Sequence, residues 1–191
     1  MRKLIATGLL LLAGGSAQAQ QQGGEQLFLI PPTGWNIVAH DAKNSTEVTE
    51  LTPNGQSEQN WTDKLKVELI LGKPVADAQT VLNSLIKAVQ EDCEDVGAGA
   101  ANLATENGYD TGIRAVACPK TKRSGRGEIG LLKVILGKER TYVVSRLWSG
   151  PAYPKDKIPL PASTSDEWLA FMSKVTVCDP RDRNHPCPST K

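Results

Sequence analysis

The sequence predicts an α+β fold in which an antiparallel sheet of six or seven strands is covered by one long and one short helix. Three observations lead to this prediction. Apolar and polar residues alternate in several segments separated by short turns, which is typical of antiparallel strands. Two other segments repeat apolar residues every three or four positions, which is typical of amphipathic helices. Helices with a single apolar face must bury that face against the sheet.

Four strands are predicted before the first helix. The segment 26–30 is short and apolar, ends at two prolines, and is separated by a turn from a second strand at 35–41. A third strand at 45–52 ends at the turn sequence Pro53–Gly55. The segment 65–71 alternates apolar with charged residues, as a half-buried strand does.

A long helix is predicted to follow Pro74, with Asp77 at its N-cap. One face carries apolar residues that we expect to be buried against the sheet: Ala78, Val81, Leu82, Leu85, Ile86 and Val89. The helix ends in the acidic run Glu91–Asp95, which opposes the helix dipole and therefore needs a partner. We expect the basic segment Lys120–Arg123 to neutralise it.

The segment after this helix is rich in glycine and alanine at 96–104 and predicts a loop or a frayed helix. A strand is predicted at 109–118, and two more at 129–136 and 141–148 form a hairpin. Four prolines exclude a regular element at 150–161.

A short amphipathic helix is predicted next. Thr164 and Glu167 have the spacing of a capping box. The apolar residues that follow are Trp168, Leu169, Phe171, Met172 and Val175. We expect Trp168 to lie in the core.

Residues 1–19 have the pattern of a secretory signal peptide. The start is basic, the apolar run at 4–13 is too short to span a membrane, and Ala17–Ala19 is a small-x-small cleavage site. No cysteine lies directly after the apolar run, so we expect no lipid anchor. No later stretch approaches 18 apolar residues, so we expect no transmembrane segment. The protein is therefore expected to be exported, either to the periplasm of a Gram-negative bacterium or by secretion.

The rest of the chain, about 170 residues, has the size of one domain. We expect a disordered linker at 20–25, a single α+β domain at 26–178 and a disulfide-closed C-terminal tail at 179–191. The sequence has 22 basic and 21 acidic residues, and loss of Arg2 and Lys3 with the signal peptide leaves a net charge of about −1. Nucleic acid is therefore not predicted as a partner, because it attracts strongly basic proteins.

Four cysteines in an exported chain indicate two disulfides. Three pairings are possible, and we favour Cys93 with Cys118 and Cys178 with Cys187. The second pair closes a short loop of turn-forming residues, and the first ties a helix end to a strand end. The alternative is a zinc site formed by Cys178, His185 and Cys187, but the close cysteine pair of most zinc sites is absent.

The segment Phe28–Trp35 resembles the start of PsbP-like domains, which begin with a strand, a proline–glycine–tryptophan turn and a second strand. That family includes extrinsic photosystem II subunits and bacterial envelope proteins of the DcrB type, and its order of elements matches from about Gln26 to Val177. The segments Glu50–Gln56 and Asn60–Leu65 are similar to a pattern in exported bacterial proteins. The resemblance implies an α/β/α sandwich and an accessory role, but no activity and no metal site. The predicted disulfides depart from the photosystem pattern.

Few side chains are suited to catalysis. The histidines are His40 and His185, and His40 cannot form a dyad with Asp41 because neighbours on a strand point to opposite faces. The cysteines are expected to be oxidised. The sequence shows no serine nucleophile motif, no glycine-rich phosphate loop and no clustered set of aspartates and glutamates suited to a metal ion. We therefore predict no catalytic residue, no cofactor and no metal.

Two tryptophans and two arginines are the candidate binding residues. Trp61 and Trp148 are predicted near strand ends, where an exposed aromatic ring can anchor a ligand or a partner. Arg114 and Arg146 fall within predicted strands. If they face the covered side they must be paired, and they would then mark a polar pocket.

Two functional hypotheses follow. The first is a non-catalytic envelope accessory protein that binds another macromolecule, which an exposed apolar patch near Trp61 would favour. The alternative is a small-ligand-binding protein or hydrolase with a pocket between sheet and helices. A closed, polar-lined cavity that reaches Arg114 or Arg146 would favour that alternative.

Overall fold

The computed structural model describes residues 24–189, so the predicted signal peptide and residues 20–23 of the predicted linker lie outside the described residues. Ten strands and two helices are present in this range. Their bounds are β1 Gln26–Phe28, β2 Trp35–Lys43, β3 Thr46–Pro53, β4 Asp63–Leu71, α1 Ala78–Asp92, β5 Gly97–Ala98, β6 Asn102–Glu106, β7 Tyr109–Cys118, β8 Gly127–Leu136, β9 Arg140–Gly150, α2 Ala162–Met172 and β10 Thr176–Cys178. The class is α+β, as predicted.

Eight strands form one antiparallel sheet in the order β2-β3-β4-β9-β8-β7, and β5 and β6 both pair with the outer side of β7. β1 and β10 form a separate two-stranded sheet, in which Gln26 lies opposite Cys178. The predicted count of six or seven strands was too low. The segment 96–104, predicted as a loop or frayed helix, contains β5 and the start of β6, which lie at an exposed edge and have no apolar alternation.

The two helices cover opposite faces of the sheet. Successive residues of a strand point to opposite faces, so neighbouring residues of one strand pack against different helices. On β8, Leu132 and Val134 pack in the cluster that contains α1, whereas Leu131 and Ile135 pack in the cluster that contains α2. The buried helix residues are Ala78, Leu82 and Ile86 of α1 and Trp168 and Met172 of α2. The result is the helix–sheet–helix layering that the resemblance implies.

The helix α1 begins as predicted, since the carboxylate of Asp77 accepts a hydrogen bond from the backbone N–H of Thr80 at 2.7 Å. Leu82 is fully buried, but Leu85 and Val89 are only half-buried. They border an open groove beside the helix, so the buried stripe is narrower than predicted.

The acidic end of α1 is neutralised by the basic turn after β7, as predicted. Lys120 Nζ lies 2.8 Å from Glu94 Oε1, and Arg123 Nη2 lies 3.0 Å from Asp92 Oδ2. These exposed ion pairs account for both charged runs without a ligand.

The helix α2 begins earlier than the predicted capping box. Pro161 occupies the N-cap position and makes no side-chain cap hydrogen bond, so Thr164 and Glu167 lie inside the helix and the capping-box prediction was wrong. Trp168 is 2% exposed, as predicted, whereas Leu169 is 49% exposed. The side of α2 that carries Trp168 is therefore buried, and the side that carries Leu169 is partly open to solvent.

Lys133 is a charged residue in the core under α2. It is 2% exposed, and its Nζ donates hydrogen bonds to the carbonyl oxygens of Met172 and Val175, each at 2.9 Å. The same group lies 2.5 Å from the carboxylate of Glu106. Lys133 therefore ties the C-terminal end of α2 to β8 and β6.

The structure contains the two disulfides that the sequence favours, Cys93–Cys118 and Cys178–Cys187. The zinc alternative does not hold, because two of its three ligands are bonded to each other. Within residues 24–189, no three histidine, cysteine, aspartate or glutamate residues are grouped so as to hold a metal ion. No helix in the same range is long and apolar enough to cross a membrane.

Both ends of the described chain pack against the domain. Glu25, predicted as the last residue of the linker, is 6% exposed and accepts hydrogen bonds from the backbone N–H groups of Lys138 and Glu139. His185 in the tail lies 2.8 Å through Nδ1 from the carbonyl oxygen of Asn107. These contacts hold the segment at Glu25 to the β8–β9 turn and the tail at His185 to the β6–β7 turn.

Candidate binding site

Arg146 lies on β9 beneath α2 and is 4% exposed. Its guanidinium carbon lies 4.5 Å from the ring centroid of Trp35 and 5.5 Å from those of Trp168 and Phe171. The nearest opposite charge is Asp63, whose Oδ1 is 3.9 Å from Nη2. The side chain is thus held mainly by three aromatic rings.

The guanidinium of Arg146 is incompletely hydrogen-bonded. Nε and Nη1 are buried and have no hydrogen-bond partner among the described residues. Burial lowers the pKa of Arg146. Burial also raises the pKa of Asp63, and this effect is larger than the opposing effect of the Arg146 charge. The charge of Glu167 acts to raise the pKa of both groups. An anion bound beside Arg146 would therefore be repelled by two carboxyl groups, those of Asp63 and Glu167.

We expect Arg146→Met to leave the free energy of unfolding within about 1 kcal/mol of wild type or to raise it. Methionine keeps the contact with the rings, and two unpaired buried N–H groups, each costing about 1–3 kcal/mol, disappear. Arg146→Ala also loses the packing and should cost about 2–4 kcal/mol. Urea unfolding of both variants measures the difference. A loss above about 2 kcal/mol for Arg146→Met would contradict this structural role.

Arg114 lies on the opposite face of the sheet from Arg146. Its Nε donates to the carbonyl oxygen of Gly99 at 2.8 Å, and its Nη1 donates to Asn83 Oδ1 at 2.8 Å. These bonds join the segment after β5 to α1. The two arginines therefore do not share a pocket, and neither lines the clefts described below.

Trp61 and Trp148 are both half-buried. Lys64 Nζ lies 4.5 Å from the Trp61 ring centroid, and the Trp148 ring packs 6.2 Å from that of Tyr153. The large apolar side chains that are exposed in the described part of the chain are Ile30, Ile37, Ile70, Leu71, Val75, Leu103, Ile158 and Leu169. Neither tryptophan is among these exposed side chains.

Two adjoining clefts beside α2 share Leu169, and we call them together the α2 groove. One has a volume of about 180 Å³ and is lined by Leu131, Ala115 and Trp168; the other has about 190 Å³ and is lined by Ile113 and Met172. The helix residues that line them are Ser165, Trp168, Leu169, Met172 and Ser173, which recur three or four positions apart on one stripe. The groove runs between this stripe and β7.

Sequence reasoning missed the α2 groove, although α2 carried a signal for it. Trp168 and Met172 suffice for the buried contact with the sheet, whereas Leu169 and Phe171 lie to either side of that contact. More apolar residues than one stripe needs indicate a helix that contacts something on its flank. Ala115, whose small side chain leaves the space open, gave no signal of its own.

A second groove lies on the other face, between α1 and β4, with a volume of about 400 Å³. Four of its five charged side chains are paired within the protein: Lys66 Nζ lies 3.1 Å from Glu68 Oε1, and Arg123 pairs with Asp92. Burial raises the pKa of Glu128, which also lines it. The α2 groove is more apolar, so it is the better candidate for binding a partner.

The histidines occupy unrelated places. His40 on the edge strand β2 is more than half exposed, and its Nδ1 lies 3.0 Å from Thr49 Oγ1. His185 is buried and its ring stacks 4.3 Å from that of Tyr109.

Several solved structures are similar to this chain. A mutant of the protein Mog1 is 11% identical, with a TM-score of 0.48 over 83% of this chain and 98% of that chain. The cyanobacterial PsbP (CyanoP) from Synechocystis sp. PCC 6803 is 16% identical, with a TM-score of 0.45 over 85% of this chain and 98% of that chain. LpqN, involved in cell envelope biogenesis of Mycobacterium tuberculosis, is 12% identical, with a TM-score of 0.37 over 83% of this chain and 87% of that chain.

These likenesses concern the fold alone, given the low identities. One of the similar structures is a PsbP, the family that the opening of the sequence resembles. No protein-family model matches the chain, and no curated protein matches it in sequence.

Proposed function

We propose that the protein is a non-catalytic accessory protein, exported to the periplasm or secreted, that binds another protein through the α2 groove. The observation that carries this proposal is the open, mainly apolar groove beside a half-exposed leucine of α2, Leu169. An apolar cleft that opens to solvent offers a place for the apolar side chains of a partner protein. The two disulfides fit an oxidising compartment outside the cytosol.

Each cleft of the α2 groove is smaller than a usual small-molecule pocket, which favours single side chains of a protein over a whole small ligand. Pockets for small molecules usually enclose about 300–1,000 Å³. The two halves of the α2 groove have about 180 and 190 Å³ and lie end to end along the helix. Two apolar side chains of one partner segment can enter them together.

The absence of a catalytic role is supported by what the reactive side chains contact. The four cysteines are paired, and His185 packs on Tyr109 against the carbonyl of Asn107. His40 lies between the Thr49 hydroxyl, 3.0 Å from Nδ1, and the Glu47 carboxylate, 3.9 Å from Nε2. This row is exposed on the edge strand β2 and lines none of the clefts named above, so within the described chain it has no pocket in which to hold a substrate.

Replacing Leu169 by glutamine is expected to reduce partner capture at least about tenfold, because a polar group would then enter the apolar groove. The immobilised mature protein is incubated with envelope extract of the source organism, crosslinked, and the captured proteins are quantified. Val75→Gln is the matched control, since Val75 is fully exposed and lies in the loop before α1. A partner captured equally by Leu169→Gln and wild type would contradict the use of this groove.

A further inference from the structure

The strand β6 forms an exposed edge of the main sheet. Within the described chain it pairs only with β7, and its first four residues are exposed. Leu103 is 51% exposed. The outer side of this strand can therefore pair with another strand.

The two edges of the main sheet differ in how they are protected. The opposite edge strand, β2, has a register shift between Ile37 and Ala39 and carries Asp41 and Lys43. Bulges and charged residues of this kind prevent strand addition. β6 keeps a regular register over all five of its residues and has neither lysine nor proline. Its one charged residue, Glu106, pairs with Lys133, so β6 lacks the bulge and the exposed charges that protect β2.

Clefts lie on both faces of β6, and alternate residues of the strand line them. Asn102, Ala104 and Glu106 line the part of the α2 groove that contains Leu169. On the α1 side, Leu103 and Thr105 line another cleft of about 510 Å³. A strand added to β6 would direct its own alternate side chains over the same two clefts.

The two clefts differ in charge. The α1-side cleft contains the carboxylates of Asp77 and Asp110, and among the described residues no basic side chain lines it. The hydrogen bond from the Thr80 backbone lowers the pKa of Asp77, which therefore stays ionised at neutral pH. The α2-side cleft contains Glu106 and Lys133, whose charges pair with each other, and the apolar side chains of Ile113, Leu169 and Met172.

We infer that β6 docks an extended segment of a partner protein in which aliphatic residues alternate with basic ones, the basic side chains lying by Asp77 and Asp110 and the aliphatic ones in the α2 groove. This inference rests on the proposed protein-binding function and adds the conformation and chemistry of the bound segment. Main-chain hydrogen bonds to β6 give affinity in this mode, and the two clefts give specificity.

The test uses an acetylated and amidated octapeptide that alternates valine with lysine, added to the ¹⁵N-labelled mature protein. We expect saturable binding, with the largest amide shift changes at residues 102–106. The counterpart with glutamate in place of lysine should bind more weakly, and a fully N-methylated form should not bind. Changes centred on β2, or equal binding of the glutamate peptide, would overturn the inference.

A matched pair of variants tests the charge. Asp110→Asn is expected to weaken the lysine peptide by about threefold, the size of an exposed ion pair. Asp41→Asn, an exposed aspartate on the opposite edge strand, should leave its affinity unchanged. Equal effects of both variants would overturn the inference. In the capture experiment, reduced capture with Leu169→Gln together with unchanged capture with Asp110→Asn would preserve the proposed function and overturn docking on β6.

Discussion

Replacing Lys133 by alanine is expected to lower the free energy of unfolding by about 3–5 kcal/mol, the range for breaking a buried charged contact. The change removes a buried donor to the carbonyl oxygens of Met172 and Val175. The Met172 oxygen keeps the backbone N–H of Val175 at 3.2 Å, whereas within the described chain the Val175 oxygen has Lys133 as its donor. A buried acceptor left without a partner costs about 1–3 kcal/mol. Glu106 is 40% exposed in its side chain and can be hydrated instead, so it adds little to the loss.

Two further variants separate the causes of this effect. Lys133→Met keeps most of the side-chain volume but not the hydrogen bonds, so it should cost less than Lys133→Ala. Lys66→Ala removes a lysine on β4 whose ion pair with Glu68 is partly exposed, and it should cost under about 1 kcal/mol. Urea unfolding measures all three. If the free energy of unfolding of Lys133→Ala lies within about 1 kcal/mol of that of wild type, the carbonyl oxygens of Met172 and Val175 have found other donors.

Leu82→Ala is expected to cost about 2–5 kcal/mol, the usual range for emptying a buried leucine site. Leu82 is fully buried between α1 and the sheet, and a side chain added at Gly112 would come within 2.8 Å of its Cδ1. The site therefore has β7 directly against it and cannot easily collapse.

Leu85→Ala provides the comparison for Leu82, because it makes the same change in the same helix at a half-buried position. We expect it to cost less than half as much, since water already reaches the site through the groove beside α1. Urea unfolding again provides the measurement. Equal losses at Leu82 and Leu85 would show that both leucines are equally buried in solution.

The elements that could be predicted from the sequence are those with one buried and one exposed side. The alternation in β4 and the stripe of α1 follow directly from such burial. β5 and β6 could not be predicted this way, because β6 is exposed on both faces and its composition is that of a loop. β10 is three residues long and is a strand only because β1, at the other end of the chain, pairs with it.

The candidate site was predicted less well than the fold, because binding depends on which surfaces the helices leave uncovered. The sequence placed Arg114 and Arg146 on strands but gave no information on which helix covers each. It did contain a signal for Lys133, a lone lysine in the apolar strand β8, since a charge there must be paired. That signal leads to a structural contact of α2. Prediction of the α2 groove would have required knowledge of where α2 stops covering the sheet.

The pairing of β1 with β10 has a consequence for the order of folding. Gln26 and Cys178 face each other across about 150 residues of intervening chain, so this small sheet has a very high contact order. A chain that emerges N-terminus first cannot form it until nearly all of its residues have been delivered. Leu27, which packs in the core, stays exposed until then. Closure of the domain is therefore expected after chain release, and partly translocated chains should remain sensitive to protease.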